Sequence, residues 1–276
     1  MEAPLFNDVN RRIQDHYGAF NAASSAISDM AARGIDIDHL APADLHGVDQ
    51  LHTSGVGATR KMIDAISADS RIRVLDVGSG LGGPARMLAA ATGCAVEGID
   101  LTPAFVAVAT DFTRRTNQSS TVRFCVASAT SIPFPDASFD AAWHIHMCMN
   151  VADKAAMYRE IARVLKPGGR FVLFDPIRGA GPDPVYPVPW ADTAATSFVV
   201  TKAQMVETIV AAGLTEARVD DVTNEGLAWF AELDGKKRST DVGAPPSRFA
   251  VMSANHRANL ASGAISLMRA KFIRGT

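Results

Sequence analysis

The run Val74-Leu75-Asp76-Val77-Gly78-Ser79-Gly80-Leu81-Gly82-Gly83 passes from an apolar stretch straight into four glycines. An apolar strand emptying into a glycine-rich turn, followed by an Ala-rich helical window, opens a βαβ unit and a parallel sheet. Glycine tolerates positive φ and lets a ligand approach the main chain closely. The alternation continues to about Pro176. Strands are expected at 73–78, 95–100, 122–127, 139–146 and 170–175, with helices at 83–91, 103–116 and 153–165 between them. Lys166-Pro167-Gly168-Gly169 stops the last of these helices. The fold class is therefore α/β, doubly wound.

Three parts are expected. Residues 1–68 form an N-terminal helical cover, with helical stretches at 20–33 and 57–66 and a loop at 40–54. Residues 69–223 form the ligand-binding core, including a proline-rich segment, 176–200, read as a substrate loop. Residues 224–276 supply C-terminal helices, 224–233 and 249–260, and a closing strand, 266–273. A helix at 202–212 and a strand at 217–222 complete the core.

Gly78, Gly80 and Gly83 satisfy G-x-G-x-x-G, a dinucleotide fingerprint. That match alone does not separate NAD from S-adenosylmethionine. Asp100 stands 20 residues after Gly80, where an acid bonds ribose hydroxyls for either cofactor. Asp76 discriminates. A carboxylate beside the glycines repels a pyrophosphate, whereas a sulfonium and an α-ammonium tolerate it.

The bulk numbers exclude other classes. Across 276 residues the formal net charge is −2, and the basic residues are scattered, so no general attraction to nucleic acid is built in. Lys236-Lys237-Arg238 is short and reads as a solvated loop. Cys94, Cys125 and Cys148 lack CxxC spacing, so no metal site is expected. Asp8, Arg11 and Arg12 break any secretory signal, and no run reaches the roughly 18 apolar residues of a membrane span. A cytoplasmic protein without membrane partners is expected; oligomeric state is not legible.

Four segments in order resemble the successive motifs of class I S-adenosylmethionine methyltransferases: 74–83, 98–103 (Gly98-Ile99-Asp100-Leu101-Thr102-Pro103), 132–140 (Ile132-Pro133-Phe134-Pro135-Asp136-Ala137-Ser138-Phe139-Asp140) and 163–170 (Arg163-Val164-Leu165-Lys166-Pro167-Gly168-Gly169-Arg170). Gly82-Gly83-Pro84-Ala85-Arg86 and Asp49-Gln50-Leu51-His52 are similar to the branch holding sarcosine/dimethylglycine N-methyltransferases, tocopherol methyltransferases and natural-product O-methyltransferases. The resemblance implies a Rossmann-like, mostly parallel sheet of about seven strands with one antiparallel edge hairpin. It also implies S-adenosyl-L-methionine as cofactor, leaving as S-adenosyl-L-homocysteine. Gly78, Ser79 and Gly80 would contact the methionine part through backbone, Asp100 would hold the ribose, and Leu101 would pack on adenine. Where the family carries an adenine-binding Asp, this chain has Ser128, with the Ala129 amide beside it. His52 would lie over the methionine end, and Tyr17 would come from the cover.

Ligands in open α/β sheets sit outside the carboxyl ends of the strands. The fourth strand ends in Trp143-His144-Ile145-His146, and alternation places His144 and His146 on one face. An acceptor must lose a proton during methyl transfer, and histidine is the usual base near neutral pH; His146, then His144, are the catalytic candidates. Gln50, Asn150, Tyr186, Trp190 and Trp229 are expected against the acceptor, where aromatic faces suit a cationic group. The expected activity is methyl transfer to an N or O atom of a small molecule. An NAD-dependent oxidoreductase and a cofactor-binding protein without chemistry are the alternatives.

Overall fold

Strand β1 (Arg73–Val77) buries four of its five residues, because a strand with neighbours on both sides and helices on both faces has no wet surface. A computed structural model describes residues 27–28, 30–236 and 247–275. Ahead of β1 come a helical turn, α1 (His46–Asp49), and helix α2 (Gly55–Ile66). After it follow α3 (Gly83–Thr92), β2 (Ala95–Asp100), α4 (Pro103–Arg115), β3 (Val122–Val126), β4 (Phe139–Ile145), α5 (Lys154–Val164) and β5 (Leu165–Arg178). The chain closes with α6 (Lys202–Ala211), β6 (Leu214–Asp221), α7 (Thr223–Lys236), α8 (Arg248–Ala261) and β7 (Ile265–Arg274).

The seven strands run in the order β3-β2-β1-β4-β5-β7-β6. Pairs from β3 through β5 are parallel, and β7 is antiparallel to both of its neighbours. This is the Rossmann-like methyltransferase fold. The strand order reverses between β1 and β4, so a ligand crevice is expected where those two strands end. Local chemistry sets the boundaries. Gly82 and Gly93, both left-handed, bracket α3, and Pro84 occupies its first turn. Asp153, Thr201 and Ser247 cap α5, α6 and α8 by accepting a backbone N–H.

Two apolar layers sandwich the sheet. Val74, Val96, Trp143 and Phe174 face α2, α3, α7 and α8, while Leu75, Ala142, Phe171 and Leu173 face α5 and α6.

Three sequence expectations are corrected. The segment 40–54 is not all loop: a 3-10 turn (Pro42–Leu45) and α1 lie within it, held by buried Leu45. Strand β5 extends beyond 170–175 at both ends, because β7 pairs with it from Arg170 to Arg178 and Leu165 still pairs with Phe139. Strand β6 starts three residues early, at Leu214, for the same reason: β7 offers partners that no local pattern announces.

Candidate active site

At the carboxyl end of β1 the glycine loop is folded onto β2. The Gly78 and Ser79 amides donate to the Ile99 carbonyl at 2.8 and 2.9 Å. The Gly80 amide donates to Asp100 Oδ2 at 2.8 Å, and the Thr102 amide to Asp100 Oδ1 at 2.8 Å. The three loop residues expected to contact the methionine part through backbone thus have their amides engaged within the fold. Asp100 shapes the loop through both of its oxygens. A Cβ on Gly80 would meet nothing within 4 Å, whereas one on Gly78 (φ +76°) would sit 2.1 Å from Met147 Cγ. The open side of the loop thus lies at Gly80, and the Gly78 side is closed by the turn after β4.

Asp76 is the electrostatic centre of this end. It is 2% exposed, and its Oδ2 has no hydrogen-bond partner among the described residues. Burial, reinforced by Asp100 and opposed by the Trp143 indole, pushes its carboxyl up to about 7. A buried, unpartnered acid oxygen fits a ligand cation and would repel a pyrophosphate. The residues present therefore suit the ammonium of S-adenosylmethionine. Ser128 is buried and closes on its own turn, its hydroxyl 2.8 Å from Thr130 Oγ1. Leu101 and Ala129, partly exposed, stand at the ends of β2 and β3 beside it.

The two histidines of β4 do not share a face. The strand ends at Ile145, and His146 takes a left-handed backbone (φ +49°), its amide donating to the Phe174 carbonyl at 2.7 Å. Period-two alternation fails there because the chain has already left the strand. His144 points into the α5 layer, fully buried, with Nδ1 2.5 Å from Asp175 Oδ2 and Nε2 3.4 Å from the Tyr158 hydroxyl. It reaches no crevice, which removes it as a proton acceptor for a substrate. Asp175 also accepts from the Met147 and Cys148 amides at 2.8 and 3.0 Å. The His144–Asp175 pair thus braces the turn that carries His146. Cys148 beside it is fully buried, and burial pushes its thiol up to about 12, so it is core and not a nucleophile.

His146 turns to the opposite layer and meets two more imidazoles. Its ring centroid lies 5.9 Å from that of His52 and 6.4 Å from that of His256, with Phe174 at 4.8 Å. Burial lowers the His52 and His256 rings to about 4. His146 is lowered well below its ordinary value, first by burial and then by the other two rings. All three are neutral near pH 7. Trp190 and Phe230 pack edge-on against His256 at 5.1 and 5.8 Å.

Of the other expected acceptor contacts, Trp190 forms a wall, tied by Nε1 to Ser197 Oγ at 2.9 Å. Tyr186 and Trp229 pack half-buried on the same apolar layer, and Asn150 lies in the 3-10 turn after β4. Gln50 and His52 share a network: Thr59 Oγ1 lies 2.6 Å from Gln50 Oε1 and 3.1 Å from His52 Nε2. Tyr17 lies outside the described residues.

Four residues of the candidate site were given no role by the sequence. His256 comes from α8, far along the chain. Asp175 was seen only as the end of a strand. Asp49 and Arg86 form a buried ion pair at 2.8 Å, and Arg86 also donates to the Leu81 carbonyl at 2.7 Å, clamping α1 onto the glycine loop. Burial alone raises the Asp49 carboxyl, and Arg86 opposes it.

Comparison with known proteins agrees with this geometry. A family model described as a methyltransferase domain matches residues 75–173. Methyltransferase GfsG of Streptomyces halstedii is 31% identical over 174 residues, covering 63% of this chain and 61% of that protein. The 27-O-demethylrifamycin SV methyltransferase of Amycolatopsis mediterranei is 39% identical over 103 residues, covering 37% and 38%. The chain thus spans less than two thirds of the length of these relatives. Geranyl diphosphate C-methyltransferase from Streptomyces coelicolor, solved with Mg2+, geranyl diphosphate and S-adenosyl-L-homocysteine, superposes with a TM-score of 0.66 at 20% identity, over 84% of this chain and 81% of that one. The glycine loop, Asp76 and the sheet order define a nucleotide-type cofactor site on a doubly wound sheet. Residues 75–173 match a methyltransferase domain, and the sheet around them has the fold of class I S-adenosylmethionine-dependent methyltransferases. No helix among the described residues is long and apolar enough to cross a membrane.

Proposed function

We propose that this chain transfers a methyl group from S-adenosylmethionine to an N or O atom of a small, largely apolar acceptor, with a hydroxyl oxygen favoured. The observation that carries the reading is the turn after β4: Met147 closes on Gly78 of the glycine loop while the adjacent His146 faces His52 and His256. One residue step thus joins the donor site to a set of neutral bases. Bound S-adenosylmethionine supplies a methyl group activated on a sulfonium. Asp76 and the loop hold a cation at the end of β1. His146 receives the acceptor's proton, and Phe174, Trp190 and Phe230 keep water from the reacting oxygen.

The scattered basic residues of the sequence speak against a nucleic-acid substrate, and a dinucleotide cofactor would set its pyrophosphate against Asp76. The test is a scan of phenol, alcohol and amine acceptors with isotopically labelled donor, paired with calorimetry of S-adenosylhomocysteine and NAD. Methyl transfer to phenols or alcohols, with binding of the first ligand alone, is expected. Turnover only on tRNA or protein would overturn the reading, as would binding of NAD instead. Donor-product binding without transfer to any acceptor would favour a non-methylating cofactor-binding protein.

A further inference from the structure

His256 stands in the middle of α8, 3% exposed, and its ring is anchored by Nε2 lying 3.0 Å from Thr53 Oγ1. Its Nδ1 and the Nε2 of His146 are both buried, and neither has a hydrogen-bond partner among the described residues. The two rings are nearly perpendicular, at 88° and 6.4 Å. An unpartnered buried nitrogen is costly, and a ligand that completes it is one reason for such a group to persist. Trp190 and Phe230 flank His256, and Phe174 flanks His146. A polar atom carried on an apolar body and seated between the two rings would satisfy both nitrogens.

We propose that His256 is a second acceptor-binding residue, which with His146 clamps the hydroxyl oxygen of an apolar acceptor from two sides. The inference rests on the methyl-transfer reading above and narrows it to alcohols and phenols. A neutral imidazole carries one N–H and one lone pair. With the Thr53 hydroxyl donating to His256 Nε2, the proton of His256 sits on Nδ1 and is donated to the acceptor oxygen. That oxygen donates its own hydrogen to His146 Nε2. A hydroxyl serves both partners at once; an alkylammonium has no lone pair to offer His256.

The test is a calorimetric titration of phenol and of toluene, its isostere without the oxygen, into the full chain with and without S-adenosylhomocysteine. Three variants separate the roles of the ring. In His256→Asn the amide nitrogen stands near the position of Nδ1; in His256→Gln it stands near that of Nε2, on Thr53; His256→Ala removes both. His256→Ala is expected to weaken phenol about five- to tenfold while leaving toluene nearly unchanged. His256→Asn should restore phenol binding and His256→Gln should not. Equal loss of both ligands, or rescue by Gln in place of Asn, would overturn the proposal and leave His256 as an anchor for Thr53. If His256→Ala does not fold, the Asn and Gln pair decides alone. Failure of the wild-type chain to bind S-adenosylhomocysteine would count against the methyl-transfer reading, while the phenol and toluene titrations without it still decide the role of His256.

Discussion

His144 and His146 are separated by one residue, yet they lie on opposite faces of the sheet in opposite chemical settings. His144 is enclosed by partners: Asp175 Oδ2 lies 2.5 Å from its Nδ1, a close charge contact without hydrogen-bond alignment, and the Tyr158 hydroxyl lies 3.4 Å from its Nε2. His146 keeps an unpartnered nitrogen among neutral imidazoles and aromatic rings. The same residue type is structural where a buried carboxylate pins its ring and available for chemistry where only other imidazoles and apolar rings face it. What separates the two is a single left-handed residue, His146 itself, at the point where the strand stops.

The comparison breaks most readily at His146. His146→Asn keeps a residue that tolerates the left-handed backbone and removes the base; kcat for a hydroxyl acceptor is expected to fall about 10²- to 10⁴-fold, with the melting temperature little changed. A full rate in that variant would remove His146 from the reaction. His144→Ala should do the reverse. It leaves the Asp175 carboxylate buried against apolar neighbours and should lower stability by about 2–4 kcal/mol, read by denaturant unfolding, with a far smaller loss of rate. A variant that is stable but inactive would mean that the two histidines have been assigned the wrong way round.

A smaller effect concerns pH. With its carboxyl at about 7, Asp76 is mostly protonated at pH 6 and mostly ionised at pH 8. Affinity for a cationic donor should therefore rise about tenfold across that interval, and Asp76→Asn should flatten it. The histidines titrate on the other side. Their rings are lowered, two of them to about 4, so His146 stays neutral and able to accept a proton well below pH 6. A rate at saturating donor that falls between pH 7 and 6 would contradict this. The smallest expected effect is at Ser128, whose hydroxyl is turned onto Thr130. Ser128→Asp should strengthen donor binding by only a few-fold, roughly 0.5–1.5 kcal/mol, measured by calorimetry.

Much of the donor side was legible because its determinants are local. Gly78, Gly80, Asp76 and Asp100 sit at strand ends that hydrophobic patterning places, and a backbone with positive φ selects glycine directly in the sequence. The acceptor side was less so. His146 was singled out by its position at the end of β4, but its face was misread because the residue after a strand need not obey the strand's alternation. His256 gave no signal at all. One histidine in an ordinary amphipathic helix looks the same whether it packs or binds, and only the return of α8 over Thr53 and Trp190 distinguishes the two.

By itself, then, the sequence determined the parallel sheet, the glycine turn and the acids around it, because these depend on contacts within a strand, a turn and a helix that are adjacent in the chain. Tertiary structure decided which histidines carry open nitrogens. That depends on desolvation and on partners drawn from β4, β5, the segment before α2, and α8, and no stretch of sequence contains them together.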